Sequence, residues 1–518
     1  MIYRDRIIEL VEKYSDNVAL VCQDKQFTFN ELNESSNAII AYLHDLGLAK
    51  GDKVALLCRS CHHHREMLWV AGKGGFVLIP VNGRLKPREA LYIINNSEAK
   101  ALMISKEFVE VIEEIKGDLK QINYYFSVDP GIEGYLYLGE LINKYPKDDP
   151  KVELTEDDLL FFQYTSGTTG LPKGAMHTQG TTSAIIELSR LADAGILTEG
   201  SRALHVVPLY SFAGIAFDLI YQWTGALTVI MQKFDVTEMM RLIEKYKITD
   251  CHIVPVILNF MLNSPDFGKY DLSSLKCLTY GGAPMSPELL RAGIEKIGPV
   301  FMQDYGASEA GALTYLYIED HVLDGPPEKV KRLASCGKPI PGADVKVLND
   351  KGEEVKPGEI GELTVKSPVI MKGYWKMPEE TKEALRDGRF YTGDLCTVDE
   401  GGYIYVKDRK KDLIISGGMN IYPYEIESVL LEHPAILDAA VVGIPDDTWG
   451  EAVCALVVFK EGKKATEEEI IEHVKSRLAG YKKPKKVEVV DAIPRTLSGK
   501  ILKKDIRNKY WEGKDRKV

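Results

Sequence analysis

The stretch Leu159-Leu-Phe-Phe-Gln-Tyr-Thr-Ser-Gly-Thr-Thr-Gly-Leu-Pro-Lys-Gly174 decides the reading of this chain. Its first four residues form an apolar run short enough for a buried strand. The run from Tyr164 to Gly174 is rich in glycine and hydroxyl residues. After a strand, such a run can turn backbone N–H groups and hydroxyls inward around phosphate oxygens, and Lys173 adds a movable positive charge. It is not a Walker loop, because Lys173 is followed by Gly174 rather than Ser or Thr. The alternative, a plain polar loop, gives no account of so specific a string.

Around this centre, short apolar runs alternate with amphipathic patterns. Val54–Leu57, Phe76–Val81 and Ala101–Ile104 read as buried strands, and Asn30–Leu43 as an amphipathic helix. The alternation resumes at Ala203–Val207, Thr228–Met231, Cys251–Val254 and Cys277–Tyr280, which predicts parallel sheets with helices on their faces. After about Ser335 short strands separated by glycine, proline and acidic turns predict a β-rich subdomain over 335–410. Asp408-Arg-Lys-Lys-Asp412 is a charged break, and a new α+β unit follows. The expected fold is therefore α/β. A large multi-layer N-terminal domain (1–410) of parallel sheets with helices is followed by a smaller mobile α+β C-terminal domain (411–518).

Length and composition bound the function. The chain has 518 residues, 45% hydrophobic and 27% charged, an ordinary globular composition spread over several structural units. A net charge of -11 argues against a nucleic-acid scaffold but not against anionic substrates, which local basic clusters can hold. No signal peptide and no run of about 18 apolar residues is visible, so a cytoplasmic protein without a membrane span is expected. The eight cysteines fit reduced thiols. Cys58-Arg-Ser-Cys61-His62 matches the c-type haem attachment pattern, yet no export signal or second ligand pair accompanies it. A strand-to-helix turn is the better reading.

Further segments pair glycine turns with aromatic and acidic groups. Gly281-Gly-Ala-Pro284 lets a flat base approach the backbone, and Asp304-Tyr-Gly-Ala-Ser-Glu309 offers an aromatic face and a hard carboxylate. Tyr391-Thr-Gly-Asp394 places a carboxylate at a tight turn, where it can accept from ribose hydroxyls. Together with the Tyr164–Gly174 string, these segments resemble the adenylate-forming superfamily of acyl-CoA synthetases, luciferases and peptide-synthetase adenylation domains. They fall in the family's order from about residue 25 to the C-terminus, and the resemblance is closest to fatty-acid or aryl-acid CoA ligases.

The resemblance implies a division of labour. Thr165, Ser166, Gly167, Thr168, Thr169, Gly170 and Lys173 would cradle the phosphates of ATP. Gly281, Gly282, Ala283, Asp304, Tyr305, Gly306 and Ser308 would hold the nucleotide, with Ser308 standing where threonine is usual. Glu309 and Thr165 would ligate Mg²⁺, Asp394 the ribose, and Arg409 the ribose or α-phosphate. Lys411 would be the pivot of the C-terminal domain. Gly417 and Gly418, in Ser416-Gly-Gly-Met-Asn-Ile-Tyr-Pro423, resemble the loop lining the CoA tunnel. Lys500, in Pro494-Arg-Thr-Leu-Ser-Gly-Lys500, resembles the catalytic lysine. Two departures stand out. Pro208-Leu-Tyr210 is followed by Ser211 rather than histidine, and Gln179 stands where a histidine is usual. His177 is assigned no role.

The implied function is an ATP-dependent, AMP-forming carboxylate–CoA ligase, with Lys500, Glu309 and Thr165 catalytic and a medium- or long-chain fatty acid as substrate. An aryl acid, a carrier-protein thiol as acceptor, and a non-catalytic adenylate-binding protein are the alternatives. The acid pocket is expected along Tyr210–Leu219, Tyr280–Ala283 and Gly306–Leu313, where only Asp218 and Glu309 carry charge. A monomer or homodimer is expected.

Overall fold

The computed structural model describes residues 1–165, 171–192, 195–495 and 501–512. Among these residues the strands assemble into four sheets. The largest is parallel from Val18–Cys22 through Leu227–Ile230, Arg202–His205, Asp250–Ile253 and Cys277–Gly281 to Phe301–Ala307, with antiparallel strands at both edges. A second sheet is parallel from Leu136–Tyr137 to Leu159–Thr165 and ends in the antiparallel strand Lys173–Thr178. These parallel strands read as continuous apolar runs because helices cover both faces.

The expected elements are present, most with ends displaced by one or two residues. The helix Phe29–Asp45 begins one residue before Asn30 because Thr28 caps it. Its hydroxyl accepts from Glu31 N at 3.1 Å and the Glu31 carboxylate accepts from Thr28 N at 2.8 Å, a reciprocal cap worth about 1 kcal/mol. This helix buries Phe29, Ile39 and Leu43 in a core shared with Trp69 and Phe76. The turn at Cys58–Cys61 links the strand Lys53–Leu57 to the helix His62–Gly74, with Cys61 at the helix start.

Between the two parallel sheets lies a buried charge cluster. Arg65 donates through Nε to both oxygens of Asp218 (3.2 and 3.1 Å), also reaches it through Nη2, and donates to Thr228 Oγ1 at 3.0 Å. His205 Nε2 stands 3.2 Å from Asp218. Asp218, read from sequence as a charge in the acid pocket, is thus already neutralised.

Residues 344–409 form an antiparallel sheet. The last sheet joins Ile414–Ser416, Met419–Ile421, Ile436–Asp446, Gly450–Phe459 and Lys486–Val489, with the helix Pro423–Leu431 packed on the long hairpin. No helix among the described residues is long and apolar enough to cross a membrane.

Candidate active site

The strand Leu159–Thr165 returns antiparallel as Lys173–Thr178, and Thr165 lies directly opposite Lys173. The glycine-rich string therefore joins two antiparallel strands at a sheet edge. Ser166, Gly167, Thr168, Thr169 and Gly170 lie outside the described residues, as does Lys500. Both legs of the hairpin are described and hold Thr165 and Lys173 at its mouth.

A segment unremarked in the sequence completes this mouth. Lys372–Trp375 runs alongside Lys173–Thr178, with Met176 N donating to Gly373 O at 2.9 Å and Trp375 N to Gly174 O at 2.8 Å. This places Tyr374 beneath Lys173, whose Nζ stands 5.2 Å from the ring centroid. The Tyr374 hydroxyl donates to Glu309 Oε1 at 2.9 Å, and Met371 N donates to Glu309 O at 2.7 Å. Burial, then the Glu309 charge, push the Tyr374 hydroxyl up, so it stays a donor. Glu309 is thus oriented through Oε1, leaving Oε2 to offer a cation. A hard carboxylate oxygen and a threonine hydroxyl, Glu309 and Thr165, suit Mg²⁺ in donor chemistry.

The strands Cys277–Gly281 and Phe301–Ala307 pair in parallel, so Gly281, Gly282 and Ala283 leave one strand beside Asp304, Tyr305 and Gly306 on the next. A Cβ at Gly281 would stand 2.3 Å from Asp304 Oδ1, so only glycine admits that carboxyl. Asp304 and Tyr305 point to opposite faces, as successive strand residues must. The Tyr305 hydroxyl donates to Asp394 Oδ2 at 2.5 Å, and Arg409 Nε stands 2.6 Å from Asp394 Oδ1. The Asp394 charge raises Arg409, keeping the guanidinium charged. Each Asp394 oxygen retains a second lone pair, the requirement for accepting from two ribose hydroxyls.

Other predicted positions are now placed. Ser308 is held through its carbonyl, which accepts from His177 Nε2 at 2.9 Å. His177 is fully buried and stacked on Phe161. Gln179 bridges Arg4 N and Gly72 O, and Ser211 caps the helix Phe212–Trp223 through Gly214 N at 3.1 Å. Gly417 and Gly418 form an exposed turn, φ 58° and 80°, with Gly417 N donating to Trp449 O. That turn is at the surface.

The charged break at Asp408–Asp412 is the anchor of the last helix. Asp408 Oδ2 accepts from Tyr424 N at 2.8 Å, and Lys503 stands 2.9 Å from Glu427 and 4.0 Å from Asp408. Arg507 pairs with Asp412 at 3.5 Å and donates to Lys411 O. The segment carrying Lys500 is followed at once by a helix tied to the residues around Lys411.

All eight cysteines are buried thiols. The Sγ atoms of Cys58 and Cys61 stand 3.9 Å apart, with His64 Nδ1 3.8 Å from Cys58. This is the one such potential metal-holding group among the described residues. Its three donors come from one turn and the first turn of the helix it starts.

The sequence matches the AMP-binding enzyme family over residues 8–375 and the AMP-binding enzyme C-terminal domain over residues 425–500. The chain belongs to this family of adenylate-forming enzymes. It is 35% identical over 510 residues to a fatty acid–[acyl-carrier-protein] ligase, ScoC, of Streptomyces coeruleorubidus, covering 96% of this chain and 95% of that one. It is 36% identical over 488 residues to the long-chain-fatty-acid–CoA ligase FadD13 of Mycobacterium tuberculosis, covering 94% of each. ATP-bound MatB of Rhodopseudomonas palustris superposes with a TM-score of 0.88 at 28% identity, covering 99% of this chain and all of that one (100%).

Proposed function

We propose that this AMP-forming acid–thiol ligase joins a medium- or long-chain fatty acid to CoA. What supports the reading is the pair of contact chains Lys173–Tyr374–Glu309 and Tyr305–Asp394–Arg409 in a member of the AMP-binding family. Both curated relatives above are named for fatty acids, and they differ in the thiol acceptor.

A carboxylate is a poor acyl donor, because its leaving group would be oxide. Attack of its oxygen on the α-phosphate of ATP breaks the bond to pyrophosphate and leaves an acyl-adenylate. The CoA sulfur then attacks the acyl carbon, AMP departs, and the thiol proton is lost. Asp394 and Arg409 anchor the ribose side of the nucleotide, and the Thr165–Lys173 hairpin receives the β- and γ-phosphates. When bound, Mg²⁺ on Glu309 would neutralise charge on the phosphate oxygens. Lys500 supplies the cation for the first half-reaction, and its loss costs about 2.7–4 kcal/mol of transition-state stabilisation, the usual worth of one such donor. Rotation of residues 411–518 about Lys411 then exchanges Lys500 for the Gly417–Gly418 turn, opening a path for the thiol.

The test is AMP release across a panel of fatty and aryl acids with CoA, and separately with a pantetheine-loaded carrier protein. AMP release dependent on CoA supports the reading. Turnover only with the carrier protein would transfer it to the second acceptor, and no adenylation of any acid would overturn it.

A further inference from the structure

One face of the main sheet is unusually polar for a surface that packs against a helix. Asp250 and His252, Cys277 and Thr279, and Met302 and Asp304 alternate onto the face covered by the helix Phe212–Trp223. The register sets His252, Thr279 and Met302 in one row, with Gly281 and Asp304 one row nearer the strand ends. A small cavity of about 20 Å³ opens between this face and the helix, lined by Phe217, Tyr221, Thr279 and Met302 among others. Phe217 also stacks on His252, ring centroids 4.0 Å apart.

His252 Nδ1 and Asp304 Oδ1 stand 3.3 Å apart, yet neither makes an aligned hydrogen bond. Buried polar atoms are nearly always paired, so two orphans facing one another call for a partner. Among the described residues no Lys or Arg stands in the pair's own rows of the ladder, and His205, opposite His252, turns its Nε2 to Asp218. The adjoining cation, Arg65, is committed to Asp218. Burial holds Asp304 up to about 7 and His252 down to about 3, so near neutrality the pair can carry a negative charge.

Position gives the pair a purpose. Asp304 immediately precedes Tyr305, and Glu309 follows five positions later, so the nucleotide mouth lies just beyond the strand end. The cavity lies deeper along the same face than the mouth, so an acid whose carboxyl is at that mouth meets the rows of Asp304 and His252 first. We propose that this pair is a polar subsite on the wall of the acid channel, and that the acid activated here carries a hydrogen-bond donor, a hydroxyl or an ammonium, along its chain. The donor is received by the Asp304 carboxyl, with His252 Nδ1 as its second partner. This rests on the acyl-ligase reading and narrows it to substituted acids.

The experiment measures ATP–pyrophosphate exchange by the full-length enzyme. Unsubstituted fatty acids are compared with their hydroxy- and amino-substituted twins, the substituent walked along the chain. A site built to pair a donor rejects the acid lacking it, so at least one substituted acid should exceed its plain twin by about tenfold or more in kcat/KM. Asp304→Leu should abolish that preference. Should that variant fold poorly, Asp304→Asn keeps the volume and an accepting oxygen; it should retain hydroxy-acids and lose an amino-acid preference, which separates the two donors. Plain acids turned over at least as well as every substituted twin would overturn the proposal, as would an unchanged preference in Asp304→Leu or an amino-substituent preference that Asp304→Asn retains. Exchange with plain acids alone would leave the ligase reading standing, whereas no exchange with any acid would end both.

Discussion

Arg409 and Asp394 face each other across two antiparallel strands, Arg389–Val398 and Ile404–Arg409, with the guanidinium Nε 2.6 Å from Oδ1. Arg409 is also the last strand residue before the Lys410–Asp412 turn. The proposed nucleotide anchor and the proposed start of the C-terminal unit are therefore one contact. Asp394→Ala should lower ATP affinity about ten- to a hundredfold, the range for charge-assisted hydrogen bonds. Equilibrium binding of a non-hydrolysable ATP analogue checks this, and unchanged affinity would remove Asp394 from the ribose site.

Tyr374 touches Glu309 rather than the reacting atoms, so its role is positioning. Tyr374→Phe should raise the Mg²⁺ concentration for half-maximal exchange about tenfold, as loss of an outer-shell partner commonly does. The KM for the acid should stay put. A Mg²⁺ titration of the variant that overlays the wild type would contradict this.

Arg65→Met should destabilise the fold by about 3–5 kcal/mol, because it leaves the buried Asp218 carboxylate without its cation. Chemical denaturation measures it. The double variant Arg65→Met/Asp218→Leu should recover much of the loss, and equal stability of the single variant and wild type would refute the account of that cluster.

Asp304 also predicts a pH dependence. Its folded carboxyl lies near 7, above the ordinary value of 3.8, so the folded state binds its proton more tightly than the unfolded chain does. The resulting stabilisation is complete at acid pH and is lost as pH rises through about 7. His252 is neutral throughout this range and Tyr221 and Tyr280 remain protonated, while His205, beside His252, and Arg65 both face Asp218. Between pH 5 and 8 the melting temperature of wild type should therefore fall relative to Asp304→Asn, by on the order of 2 °C. Parallel curves would show that the carboxyl is not shifted.

How much of this was legible in the sequence varies by contact range. The strands Lys53–Leu57 and Cys277–Gly281 were readable because a buried parallel strand is a short apolar run with turn residues at its ends. Asp394, Arg409, Tyr305 and Glu309 stood out through short strings that match a family, and the structure joins the first three in one contact chain. Tyr374 gave no local signal; its role follows only from Lys372–Trp375 lying beside a strand some 200 positions earlier in the chain, a pairing no periodicity encodes. The acid pocket misled for a similar reason. Reading contiguous stretches marked Asp218 as its charge, whereas Arg65, 153 positions away, consumes that charge. Asp304 was grouped with the nucleotide residues, although strand alternation turns its side chain to the opposite face from Tyr305, toward His252.

The central claim is that one phosphate cradle is served in turn by two faces of a moving C-terminal domain. The most direct measurement compares both half-reactions in Lys500→Ala: ATP–pyrophosphate exchange with the acid, and CoA thiolysis of chemically prepared acyl-adenylate. The account predicts exchange reduced about a hundredfold or more, in line with the loss of one transition-state donor, with thiolysis within about twofold of wild type. Equal loss of both half-reactions would contradict it.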